Sequence, residues 1–265
     1  MDVKKVVIVM PYHERQYQLD KTLETIGKSW YKNFSVIIMD DGSREKVVLP
    51  TLSYDARVIR LKDKIWTNCA PVYNYGFIEA IKEGADIIII QSAECYHVGD
   101  VISYAGENCK KDNYIAFGCF RLDKETTFKE HNIDKLSKEN NFMVNSDNGG
   151  NGQNAWWNHP VYSRLPQYWG AAITAENLRK INGIDERFAY GYAFEDGCFL
   201  KQIENLGLRI DITDYPYVVH QWHGLDEGRQ AVMSVPALYN RNRKLYLELI
   251  ESDIIRAEHC ITPDL

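Results

Sequence analysis

Four short apolar runs, Val6–Met10, Ser35–Met39, Arg57–Leu61 and Asp86–Ile90, punctuate the first part of the chain, and each is too short for a helix of ordinary length. Runs of this kind, rich in Val and Ile and alternating with helical stretches, build a parallel sheet that is buried on both faces. Leu19, Leu23 and Ile26 recur at i, i+4 and i+7, which places one apolar stripe on a helix between the first two strands. A second helix is expected over Val72–Glu83, ahead of the fourth strand. The expected fold class is α/β, with a Rossmann-like, mostly parallel central sheet flanked by helices.

Composition supports a folded chain and removes some functions. Hydrophobic residues make up 45% of the 265 and charged residues 26%, enough apolar mass for a sizeable core. Lys plus Arg number 31 against 37 Asp plus Glu, a net charge of −6, which argues against nucleic-acid binding through the phosphate backbone. The six cysteines show no CxxC spacing, so reduced, mostly buried thiols are expected rather than a zinc ribbon or a disulfide framework. The apolar run at Val6–Met10 ends at Pro11, far short of a membrane span or a signal-peptide core. No integral membrane segment is expected. The location read from this is cytoplasmic, compatible with peripheral association at a membrane, and the sequence leaves the oligomeric state open.

The middle of the chain changes character. Residues 123–158 are polar and include the Gly- and Asn-rich stretch Asn145–Asn154, which predicts a mobile loop carrying Trp156 and Trp157 as a lid over a site. Regular structure is expected to resume with Tyr168–Thr174, a helix over Ala175–Ile181 stopped by Asn182-Gly183, and another over Asp196–Leu206 stopped by Gly207. A last helix over Ala237–Ala257 carries Leu238, Leu245, Leu249 and Ile250 for packing back on the core.

Ligands of open α/β sheets bind beyond the carboxyl ends of the strands. Here those ends read Pro11-Tyr12-His13-Glu14-Arg15, Asp40-Asp41-Gly42-Ser43 and Gln91-Ser92-Ala93-Glu94, three polar segments that converge if the sheet forms. Asp-Asp-Gly-Ser alone is also an ordinary turn.

Val6–Pro11, the segment VIIMDDGS (Val36–Ser43) and Asn74-Tyr75-Gly76, followed by WGAAITAENLRKINGIDERF (Trp169–Phe188) and GYAFEDGCFLKQIENLG (Gly191–Gly207), together resemble the family 2 glycosyltransferases of the GT-A fold. The last two segments also resemble the acceptor side of galactosyl- and N-acetylgalactosaminyl-transferases. The resemblance implies one domain over 1–265, with a nucleotide-sugar-binding half (1–97), an acceptor-binding and catalytic half (98–223) and a C-terminal helical extension (224–265). It also implies that Asp41 contacts the nucleoside, that Pro11, Tyr12 and Glu14 wall the base and ribose, that Arg15 lies toward the diphosphate, and that Asn74 joins the donor-binding residues.

The family's Asp-x-Asp metal motif is replaced here by Gln91-Ser92-Ala93-Glu94. A divalent ion then needs other ligands, for which Glu94, His220 and His223 are the candidates, His220 foremost. Such mixed ligation suits Mn²⁺ better than Mg²⁺. Asp196 matches the general base, its competing role being that of a helix N-cap, and Glu195 would bind the acceptor or orient the site. Trp169, Gly170 and Trp157 are expected to line the acceptor site.

The implied reaction is inverting transfer of a sugar from a UDP-sugar such as UDP-Gal, UDP-GalNAc, UDP-Glc or UDP-GlcNAc to a hydroxyl of a glycan, lipid-linked or other acceptor. Two other functions fit less well. A sugar nucleotidyltransferase would show a Gly-rich phosphate loop after the first strand, and a non-catalytic glycan-binding module would have no need of both Asp41 and the Glu195-Asp196 pair.

Overall fold

Val6, Ile8 and Met10 of the first strand point to one face of the sheet, Val7 and Val9 to the other, and all five are fully buried. The computed structural model describes residues 3–62, 64–143, 153–224 and 227–265. Its N-terminal part runs β1 (Val6–Tyr12), α1 (Gln16–Ile26), β2 (Phe34–Asp40), β3 (Asp55–Arg60), α2 (Ala70–Lys82) and β4 (Ile87–Gln91). These strands lie in the order β3-β2-β1-β4 and are all parallel, as the apolar runs predict.

The chain continues through β5 (Cys95–Val98), α3 (Val101–Asn108), β6 (Asn113–Arg121), α4 (Lys124–Thr127), α5 (Ile133–Glu139), β7 (Ala155–Asn158) and β8 (Gly170–Thr174). It closes with α6 (Ala175–Ile181), α7 (Glu195–Asn205), β9 (Arg209–His220), α8 (Glu227–Met233) and α9 (Pro236–Ile250). The sheet extends from β4 in the order β8-β6-β9-β5, with β7 on β6. Among the described strands of this second half only β6 and β9 pair parallel, so the parallel character belongs mainly to the N-terminal strands.

Each face of the sheet carries its own core. Leu19, Leu23 and Ile26 of α1 pack with Val6, Ile8 and Met10, and α2 brings Val72, Phe77 and Ala80 to Val7, Val9 and Ile37. The approach of α2 is close enough that a methyl group on Gly76 would overlap Val9 Cγ1 and lie 3.0 Å from Met39 Cγ.

Residues 123–158 differ from the loop expected of them. Asp123 caps α4 by accepting from the Thr126 N–H at 2.7 Å, and Asn132 caps α5 by accepting from the Lys135 N–H at 3.0 Å, so polar residues start helices here. Trp156 is no lid residue. It is 4% exposed in β7 and packs edge-on against Phe120 and Tyr217. Residues 144–152, most of the Gly- and Asn-rich stretch, lie outside the described residues.

The C-terminal helix is shorter than its pattern suggests, and the chain beyond it is held by a buried acid. The Glu186 carboxylate accepts from the backbone N–H groups of Cys260 (2.9 Å), Ile261 (2.6 Å) and Thr262 (3.0 Å) and from Asn74 Nδ2 (3.1 Å). All six cysteines are free, and four of them are buried. Among the described residues no helix is long and apolar enough to cross a membrane.

Candidate active site

The carboxyl ends of β1, β2 and β4 open onto one cavity of about 340 Å³, whose walls include Pro11, Tyr12, Arg15, Asp41, Glu94, Trp157, Trp169, Asp196, His220 and His223. A second cavity of about 500 Å³ adjoins it, sharing His13, Arg15, Asp41, Cys69, Glu195 and Asp196 and adding Lys64 and Trp66. Most residues picked from the sequence therefore meet in one place.

Three do not. Asn74 is fully buried, and its amide is occupied by Ile184 and Glu186, where it ties α2 to the loop after α6. Glu14 turns its carboxylate to the Arg44 N–H and braces the loop after β2. Gly170 is covered by Val218, whose Cγ1 would lie 2.8 Å from an added Cβ, so its smallness serves sheet packing.

Asp41 accepts from Lys64 Nζ at 2.5 Å and from the Trp66 indole N–H at 2.9 Å. Burial pushes its carboxyl above the usual aspartate value, while these two donors and His13 pull it down. His13 lies beside it, with Nδ1 3.1 Å from the Asp41 carbonyl oxygen. His13, Lys64 and Trp66 were not singled out by the sequence, since Lys64 and Trp66 lie in an irregular segment without periodicity.

Pairing of β5 with β9 assembles the candidate metal centre. Cys95 registers with His220, so the turn after β4 sets Glu94 beside the end of β9. Gln221 fixes that turn, its backbone N–H and Nε2 both reaching the Glu94 carbonyl, at 3.1 and 3.0 Å. Glu94 is 4% exposed, and its Oε1 lies 3.4 Å from Nε2 of both His220 and His223. Ligand atoms of all three residues fall within 4.8 Å of one another. Ligands about 2.1 Å from one ion are separated by comparable distances, so the set fits a divalent cation.

A further observation agrees with that fit: among the described residues, buried Glu94 Oε2 has no hydrogen-bond partner. Arg15 Nη1 stands 2.6 Å from Glu94 Oε1. Burial opposes ionisation of Glu94, but the Arg15 charge and the two histidines outweigh it and hold the carboxyl well below the usual range. Burial likewise depresses His220 to about 4 against the pull of Glu94, leaving a neutral imidazole available as a ligand.

The acids of the opposite wall sit on the first turn of α7. Ala193 and Phe194 precede it with φ of 63° and 75°, a left-handed pair that turns the chain sharply into the helix. Asn242 of α9 holds this turn by donating to the carbonyls of Phe188 and Ala193, both at 3.0 Å, and Phe194 packs against Tyr239 and Tyr246. Asp196 is thereby inside the helix rather than at its N-cap, which is Phe194. Burial raises the Asp196 carboxyl above the ordinary aspartate value, and the Gly197 N–H, bonded to Oδ1 at 2.7 Å, partly offsets this. Glu195 accepts from Asn68 Nδ2 at 2.6 Å, which orients it. Trp157 and Trp169 stack with ring centroids 5.0 Å apart and present aromatic surface to the same space.

Residues 7–170, more than half of the chain, match the family described as Glycosyl transferase family 2. No curated protein sequence matches significantly. Among solved structures, the fragment TarS 1–349 of S. aureus in complex with UDP-GlcNAc aligns with a TM-score of 0.63 at 13% identity, over 96% of this chain and 68% of that one. The mannosyltransferase PcManGT of Pyrobaculum calidifontis, in complex with GDP-Man and Mn²⁺, gives 0.50 at 13% identity, over 98% of this chain and 67% of that one. The chain spans 66% of the first-matched TarS 1–349 structure and 37% of a longer TarS structure. These likenesses show a shared GT-A fold.

Proposed function

The chain belongs to glycosyl transferase family 2, and on that premise we propose that it is a glycosyltransferase that transfers a sugar, with inversion, from a UDP-sugar to an acceptor hydroxyl. The observation that carries this reading is that contiguous cavities hold Asp41, the Glu94–His220–His223 group and Asp196 together. Uracil presents one N–H between two carbonyls. Asp41 accepts that N–H, and Lys64, already beside Asp41, donates to a flanking carbonyl. Pro11 and Tyr12 wall the nucleoside, and Arg15 turns toward the diphosphate.

Glu94, His220 and His223 would hold a divalent ion, Mn²⁺ in preference to Mg²⁺ because two of the three ligands are imidazoles. Bound there, such an ion supplies neutralisation of the charge that develops on the leaving diphosphate. Asp196 takes the proton of the acceptor hydroxyl as its oxygen attacks the anomeric carbon and the bond to the diphosphate breaks, a contribution of roughly 10²- to 10⁴-fold. Burial keeps that carboxylate basic. Glu195, held by Asn68, orients the acceptor, and the stacked Trp157 and Trp169 receive the apolar face of its sugar.

The test is a panel of UDP- and GDP-sugars incubated with the protein in Mn²⁺, read as release of nucleoside diphosphate. Release of UDP from at least one sugar, without pyrophosphate, is expected. Release of GDP alone, or of no nucleotide from any donor, overturns the reading.

A further inference from the structure

Arg121, the last residue of β6, is 5% exposed, and among the described residues its Nη1 has no hydrogen-bond partner. The contact made by its guanidinium is with the face of Trp157, whose ring centroid lies 5.5 Å from Cζ. The acid that acts on it, Asp123, has its carboxylate engaged by the Thr126 N–H at 2.7 Å and by Asn154 Nδ2 at 3.0 Å. A cation removed from water without an anionic partner is costly, and a guanidinium offers a fork of donors shaped for an oxyanion.

The position of this cation is specific. Arg121 and His220 are register partners on the parallel strands β6 and β9, so their side chains share one face of the sheet about 4.8 Å apart at the backbone. Trp157 covers both, with its ring 4.5 Å from His220, and it also stacks on Trp169 and lines the cavity. The indole is thus the partition between the buried guanidinium and the site. Arg15, at the start of α1, is the cation on the donor side, whereas Arg121 lies behind the aromatic wall proposed for the acceptor.

We infer that Arg121, against the face of Trp157, is an oxyanion subsite for the acceptor, so that the acceptor carries a phosphate ester or a carboxylate near the hydroxyl that receives the sugar. The inference rests on the proposed transferase reading, because that reading assigns Trp157 to the acceptor. A neutral sugar lying on Trp157 leaves the guanidinium unpartnered, while an acidic one slides its oxyanion past the indole edge to accept two parallel N–H bonds.

Calorimetry on the full chain with UDP and Mn²⁺ present tests this, using glycerol 3-phosphate against glycerol and glucuronate against glucose. At least one anion is expected to bind about tenfold or more tighter than its neutral partner. The arm that binds identifies phosphate or carboxylate as the source. Arg121→Gln should remove that advantage and leave the affinity for UDP within about twofold, and Arg121→Lys, which keeps the charge but not the fork, should retain part of it. The lysine variant decides the matter if the glutamine variant does not fold. The subsite is refuted if neither anion outbinds its neutral partner, if the advantage survives both substitutions, or if UDP affinity falls as far as probe affinity, which would assign Arg121 to the donor. A protein that binds an anionic probe through Arg121 but no UDP supports the subsite and overturns the donor reading alone.

Discussion

Acidification from pH 7 to pH 5 should remove roughly 2 kcal/mol of folding stability through His97 alone. His97 lies in β5, 6% exposed, with Nε2 2.8 Å from Gln91 Oε1, which requires the proton on Nε2. Gln91 in turn donates to the Cys95 carbonyl at 2.6 Å, so the imidazole braces the turn that carries Glu94. Burial depresses the imidazole from 6.5 to about 4, with Asp100 acting weakly the other way. The folded-state value lies below the unfolded one. The stabilising effect of the neutral ring is therefore complete above about pH 6.5, shrinks as pH falls, and is gone below about pH 4. The full span is about 3 kcal/mol at ~1.4 kcal/mol per pH unit, and most of it falls between pH 7 and pH 5. At roughly 2–4 °C per kcal/mol for a chain of this size, Tm should fall by about 4–8 °C from this source. Scanning calorimetry of the protein and of His97→Gln at both pH values isolates the term, because His220 and the carboxylates contribute to both proteins. An equal loss of Tm in the two proteins would refute the reasoning.

Other substitutions separate the proposed roles. Asp196→Asn should lower kcat by roughly 10²- to 10⁴-fold with UDP affinity nearly unchanged. In the unsubstituted enzyme, protonation of this raised carboxyl should place the acid limb of the rate profile above the 3.8 of an ordinary aspartate. Unaltered turnover in the variant would remove Asp196 from the chemistry. Glu94→Ala should weaken UDP binding in Mn²⁺ by roughly 10- to 100-fold and hardly change it in EDTA, and equal losses in the two media would argue against ligation. Gly76→Ala forces a methyl into Val9 and should cost about 1–3 kcal/mol in urea denaturation, where an unchanged midpoint would contradict the packing described for α2.

The parallel half of the fold was legible because its strands are continuous apolar runs, a pattern that few other structures produce. The strand ends followed from it, and with them Pro11, Tyr12, Arg15 and Asp41 in the cavity wall. Glu94 and the two histidines stand out by their chemistry. Their meeting depends on β5 pairing with β9, a long-range register that local periodicity does not carry. The place of Asn74 is not legible, because a polar residue opening a helix looks the same whether it faces a ligand or, as here, satisfies buried backbone at Ile184. Trp156 and Trp157 look alike in the sequence, yet adjacent strand residues face opposite ways, so one entered the core and the other the site. Polarity over 123–143 concealed two short capped helices, since cap residues and loop residues are the same residue types.

The central claim is a site for UDP completed by a divalent ion on Glu94, His220 and His223. Calorimetric titration of UDP, with GDP and TDP as comparators, in Mn²⁺ and again in EDTA, tests it most directly. The account predicts selective binding of UDP that weakens by at least about tenfold when the metal is withdrawn. Binding of UDP that is the same in EDTA would contradict the metal centre, and absence of binding by any of the three nucleotides would contradict the donor site itself.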